Sequence, residues 1–104
     1  MKKEIAEMLS KALTSGEYDQ CYGRMRDSES DCFCVLGVLC DLHSRATGNK
    51  WDGNSYLRQA HVLPNEVMQW CQIEQINHTM LAVYNDNRVP FSSLAKIVQN
   101  MATS

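Results

Sequence analysis

Asp31 to His43 reads DCFCVLGVLCDLH and places three cysteines and a histidine inside a mostly apolar run. Cys32, Cys34, Cys40 and His43 would make a zinc site if the first two shared a strand face and the last two stood one helical turn apart. Zinc knuckles, however, take paired cysteines two to four residues apart, which Cys-x-Cys-x5-Cys-x2-His does not supply. Every cysteine here has apolar neighbours, and a free Cys packs as a small hydrophobe. Core therefore fits the stretch better than metal, and no metal or other cofactor is expected. A nucleophile reading would pair Cys40 or Cys71 with His43, His61 or His78 and with Asp41. No glycine-rich elbow or cysteine-protease signature flanks any thiol, so no enzyme is expected. His43 is expected instead at the carboxy-terminal end of a helix, where a cation meets the dipole. His61 and His78 lie in polar surroundings and read as surface residues.

A second group, Lys50, Trp51, Tyr56 and Arg58, sits in a segment of Gly, Asn, Asp and Ser with no helical or strand period. Trp, Tyr and Arg are enriched among residues that dominate binding energy, which makes these four the candidates for partner contact. The alternative is that Trp51 and Tyr56 fold back over the central helix. LAVYNDNRVPFSSLAKIVQNM resembles the opening of a helix-turn-helix, but no recognition helix follows it. The NDN within it lacks the glycine and closing glutamate of a calcium loop.

These residues need elements to position them, and the chain offers enough for one domain spanning 1–104, with 44% hydrophobic residues. Its formal charge is −2 and its ten Lys and Arg are scattered, so no phosphate-backbone footprint forms and nucleic acid is not an expected partner. Glu4 and Glu7 interrupt the apolar region a signal peptide would need, and no apolar run approaches the ~20 residues of a membrane span. A soluble, cytoplasmic protein without membrane contact is expected. Five cysteines in a reducing compartment should then be thiols, not a disulfide framework.

Apolar spacing predicts a helix over 2–15, stopped by Ser15-Gly16. The polar stretch Tyr18 to Ser30 can form one arm of a short hairpin returning through CFCV. Val35, Leu36, Val38, Leu39, Leu42 and Ala46 then form a wide apolar face, ended by Gly48-Asn49, which predicts the central helix over 34–47. Gly37 in its interior costs roughly 1 kcal/mol against Ala unless another element must approach the backbone, so close packing is inferred there. Pro64 fits the first turn of a helix through Val67, Met68, Trp70 and Cys71. A polar break is expected from Glu74 to His78, followed by TMLAVY, a turn at NDNR and a last helix opened by Pro90. The fold class is mainly α, a compact domain of about four to five helices with at most a small β-hairpin.

SGEYDQCYGRMR from Ser15, CFCVLGVLCDL from Cys32, LPNEVMQW from Leu63 and LAVYNDNRVPFSSLAKIV from Leu81 together carry a resemblance. In that order they resemble a family of small uncharacterised phage and prophage proteins with a YCCLGVLCDL-like core motif and a closing LA.LND.G.SF..IA..I segment. Two departures stand out: Pro90 replaces the Ser that would cap the final helix, and Asn87-Arg88 replaces the Gly-containing turn. The resemblance implies a phage-type accessory protein in the host cytoplasm. The expected function is to bind a host protein and modulate or inhibit it, host-defence components included. The alternative is a protein that binds or sequesters a small ligand or nucleotide through a pocket near Trp51, Tyr56 and Arg58.

Overall fold

The structure is a computed structural model and describes residues 1–103. Helix α1 (Lys3–Thr14) falls within the expected 2–15 and turns Ile5, Ala6, Leu9 and Leu13 inward, while Met8 is exposed. Three two-residue strands follow: β1 (Asp19–Gln20), β2 (Arg26–Asp27) and β3 (Cys32–Phe33). Next come α2 (Val35–Thr47), α3 (Asn65–Cys71), α4 (Gln75–Asp86) and α5 (Phe91–Asn100). The chain is thus mainly helical with a small sheet. Helix α1 lies chiefly along α5, and α2 meets α1, α3, α4 and β3.

Helix α2 is the centre of the core, with Val35 to Cys40 all buried. It stops at Gly48, whose φ of 82° is left-handed and whose amide donates to the Ser44 carbonyl at 2.8 Å. The Gly37 inference is met by the loop before β2. A Cβ built on Gly37 would lie 1.8 Å from the Met25 carbonyl oxygen. That oxygen accepts the Cys34 amide at 3.0 Å, while the Met25 amide donates to Ala60 at 2.9 Å. Met25 is itself fully buried.

The sheet has one strand more than a hairpin, in the order β1-β3-β2. β2 pairs with β3 antiparallel, as a hairpin arm would, but β1 lies parallel on the other edge of β3. This arrangement overturns the expectation of five reduced thiols. Cys21 follows β1 and its amide donates to Phe33 at 2.9 Å, so it comes level with the start of β3. Cys21 and Cys32, with Cα atoms 5.5 Å apart, form a disulfide there. Cys34, Cys40 and Cys71 remain free and buried.

The polar break expected at Glu74 to His78 is helix from Gln75 onward. His78, Leu81 and Asn85 form its buried face, so two polar residues stand where periodicity looks for apolar ones. Both have partners. Asn85 Oδ1 accepts Gln20 Nε2 at 2.9 Å and the Val35 amide at 3.1 Å, and its Nδ2 donates to the Cys21 carbonyl at 3.0 Å. The first amide of α2 is therefore satisfied from α4. Gln20 does the same for α5, its Oε1 accepting the Phe91 amide at 3.2 Å and standing in for the capping Ser that Pro90 displaces. Arg88, at φ 67°, takes the left-handed position of the missing turn glycine.

Candidate functional site

A continuous polar and aromatic ridge runs across one side of α2, with Asp41 at its middle. Asp41 points off the core face and is half-buried. Its Oδ2 accepts the Tyr18 hydroxyl at 2.6 Å and lies 3.3 Å from Arg45 Nε, one turn along the helix. Its Oδ1 accepts Trp51 Nε1 at 3.1 Å. Arg45 continues to Glu17 at 3.5 Å. Burial first, and then the Asp41 carboxylate, push the Tyr18 phenol well above its ordinary value, so it stays a proton donor.

Beyond Asp41 the ridge is aromatic. The Tyr18 and Phe33 rings meet edge to face at 5.1 Å, Phe33 meets Trp51 at 5.8 Å, and Trp51 tilts against Tyr56 at 5.1 Å. The Arg26 guanidinium lies over both Phe33 and Trp51, 5.5 and 5.4 Å from their centroids. It donates to the Gly53 carbonyl at 3.2 Å and pairs with Asp31 at 3.6 Å. Its Nε is buried with no hydrogen-bond partner among the described residues. Glu17, Arg45, Asp41, Trp51, Arg26 and Asp31 thus alternate acid and base around a tryptophan. Such a surface presents fixed donors, acceptors and a ring edge. Its interleaved carboxylates oppose a phosphate.

Of the four expected contact residues, Trp51 and Tyr56 come together, while Lys50 and Arg58 are exposed on the same loop. Tyr56 is fully buried and cannot belong to an exposed patch. The reason is local: Asp52 and Ser55 exchange backbone hydrogen bonds at 2.8 and 2.9 Å, and the tight turn they close folds the chain back over α2. Tyr56 then brings its hydroxyl within 2.6 Å of His43 Nδ1. His43 is accordingly no helix-end cation. It is buried against Tyr56 and Trp70, and burial holds its pKa below the ordinary histidine value.

His61 is exposed, as its surroundings suggest, but His78 is not. The Leu63 amide donates to His78 Nε2 at 3.1 Å, so Nε2 must be the unprotonated nitrogen. His78 Nδ1 lies 3.2 Å from Gln75 Nε2, which also donates to Thr79 Oγ1 at 3.3 Å. Burial lowers this pKa too. The thiols are shifted the other way, Cys34 up to about 11 and Cys40 and Cys71 also upward, all by burial first.

The four residues of the zinc alternative do not assemble. Cys32 is in the disulfide, Cys34 and Cys40 sit in the core, and His43 faces Tyr56. Among the described residues no three His, Cys, Asp or Glu side chains are placed to hold a metal. Three cavities of about 410, 360 and 270 Å³ lie along α1 and α5, between α4 and α5, and beside His78. None of these three is lined by Trp51, Tyr56 or Arg58. Among the described residues no helix is long and apolar enough to cross a membrane.

Sequence reasoning found Trp51 and missed its partners Tyr18, Arg26 and Asp41. Asp41 carried one usable signal, as a lone carboxylate within an apolar run four residues before Arg45. Residues 1–82 match the family described as Domain of unknown function (DUF8296), and the chain belongs to that family. No curated protein and no solved structure matches the chain.

Proposed function

We propose that this chain is a non-enzymatic binding module that docks on a protein through the ridge around Trp51 and Arg26. The carrying observation is that Arg26 and Trp51 are already locked in place, by Phe33, Asp31, Gly53 and Asp41. Anchors fixed before binding lose little entropy on association, and Trp and Arg are the side chains that dominate protein contacts. Exposed Lys50 beside Trp51 and exposed Arg45 at the far end would supply the charged rim. With the resemblance to phage and prophage proteins, the partner is a host protein in the host cytoplasm, and the outcome of binding is its inhibition or redirection. Host defence is the kind of target such a protein serves.

The ligand-sequestering alternative is less well supported. Acid and base alternate along the ridge, and the cavities described lie elsewhere. The test is a pull-down from infected host cells with the tagged chain, followed by affinity measurement on the captured protein. Lys50→Glu and Lys50→Ala alter an exposed residue and should leave melting nearly unchanged, while Lys50→Glu weakens binding about tenfold or more, which is ~1.4 kcal/mol. Unaltered affinity in both variants refutes the ridge as the docking surface. A small molecule that co-purifies stoichiometrically, with no protein retained, favours the alternative.

A further inference from the structure

A covalent bond stands next to the central ring of the ridge. Phe33, which meets Tyr18, Trp51 and Arg26, directly follows Cys32, and Cys32 is joined to Cys21. The ladder around that bond is short. β1 and β3 pair only Asp19 with Cys32 and Gln20 with Phe33, and the Cys21 amide adds its hydrogen bond to the Phe33 carbonyl. Pairing on this scale is marginal without other support. The Gln20 side chain and the Cys21 carbonyl are tied elsewhere, to Asn85, Val89 and Phe91. The disulfide is thus a covalent tie between the segment bearing Tyr18 and the strand bearing Phe33. Cys21 is half-buried and Cys32 only 8% exposed, so a reductant meets the Cys21 sulfur first. Cys34, Cys40 and Cys71 are buried, with Cys34 pushed up to about 11 by desolvation, so they do not attack the pair and reshuffle it.

We propose that Cys21–Cys32 is a redox site that makes the ridge ready to dock when oxidised and releases it when reduced, with a dithiol as reductant and a disulfide of the same class as oxidant. This rests on the docking reading of the ridge. In reduction a thiolate of the dithiol attacks Cys21 Sγ, the Cys21–Cys32 bond breaks, and Cys32 leaves and takes up a proton. The second thiol of the dithiol then loses its proton and attacks the mixed disulfide, and Cys21 leaves and takes up a proton in turn. The dithiol becomes a disulfide, having given up two electrons, and oxidation is the reverse. In the reduced chain β1 parts from β3 more often, Tyr18 loses its fixed place on Phe33, and the anchors around Trp51 are no longer preset. In a reducing compartment the ridge is ready only while oxidant outpaces dithiol.

The test needs no partner. Millimolar dithiothreitol without denaturant should open Cys21 and Cys32 to iodoacetamide within about an hour, while the three free thiols stay protected and helical circular dichroism persists. Hydrogen exchange at the Cys21 amide should speed about ten- to a hundredfold, the upper figure being the closure entropy of a loop of separation 11. It should also become insensitive to low urea, the mark of a local opening, whereas the Val38 amide of α2 continues to track global unfolding. The Trp51 indole proton, held by the same Asp41 that holds Tyr18, should shift. Cys21→Ser, at the more exposed partner, should show the same exchange and the same shift without reductant, and no response to dithiothreitol. A disulfide that resists dithiothreitol until urea unfolds the chain, loss of helix on reduction, or a reduced chain with Cys21 exchange and the Trp51 indole unaltered would each overturn the proposal. Lys50→Glu tests the docking reading separately, so failure here leaves that reading standing.

Discussion

Replacing Gly37 by Ala should destabilise the protein by about 2–4 kcal/mol, against the propensity scale. In an exposed helix interior the change is worth up to ~1 kcal/mol in favour of Ala. Here the new Cβ would stand 1.8 Å from the Met25 carbonyl oxygen and 2.7 Å from its carbon, both backbone atoms. Backbone cannot rotate out of the way as a side-chain tip can, so the Met25 segment must retreat from α2. Retreat breaks the Cys34-to-Met25 hydrogen bond and strains the Met25-to-Ala60 one. Leaving the two buried ends of the broken bond unpaired costs about 2–4 kcal/mol together, and loosened Met25 packing adds about a further kilocalorie. Subtracting the propensity gain gives the stated range, or a melting temperature lower by roughly 10–25 °C for a domain of this size. Urea melts followed by circular dichroism read the difference, and equal or greater stability of the variant would show that Met25 does not lie against Gly37.

Reducing the Cys21–Cys32 disulfide frees a loop of sequence separation 11 and should cost about 2.5–3 kcal/mol by chain entropy, read as a lower urea midpoint with dithiothreitol; no shift means no bond. Cys34, Cys40 and Cys71, buried and with pKa values raised, should resist a thiol reagent in the native state and react only as the chain unfolds. Rapid labelling of any one in native buffer refutes its placement. Both His43 and His78 have folded pKa values below the unfolded one, so the unfolded chain binds more protons under acid conditions. Their contribution is complete above the ordinary value of about 6.5 and declines as pH falls from there toward the folded values. Melting temperatures from about pH 7.5 down to 5 should fall, and should fall less when His78 is replaced by Gln, which does not titrate in this range. An equal acid limb in His78→Gln would show that His78 already titrates normally.

What the sequence disclosed follows the reach of each signal. Helices α1, α2 and α5 were legible because their apolar faces repeat and each has a local stop or start, as at Gly48 and Pro90. Gly37 was legible as a close approach, since an interior glycine has a cost that something must offset, but nothing local named Met25. Helix α4 was cut short because His78 and Asn85 spell polarity on a buried face, and their partners Leu63, Gln20 and Val35 lie far away in sequence. The disulfide was missed by arguing from compartment, when the parallel β1–β3 register decides which thiols meet. Trp51 and Tyr56 were found as a pair, but burial of Tyr56 depends on the turn at Asp52 and Ser55, which composition does not specify. Asp41, Tyr18 and Arg26 meet across three separate segments, and no single stretch announces them.

The pairing of α1 with α5 sets an order of events during synthesis. Among these five helices α1 is made before the others and presents Ile5, Leu9 and Leu13, and its main cover, α5, ends at Asn100. At ~5–20 residues per second those side chains wait roughly 4 to 17 s, while every later helix is made. Throughout that interval the nascent chain offers a greasy amphipathic helix to any chaperone nearby, and a pause or truncation before Phe91 leaves it on offer indefinitely.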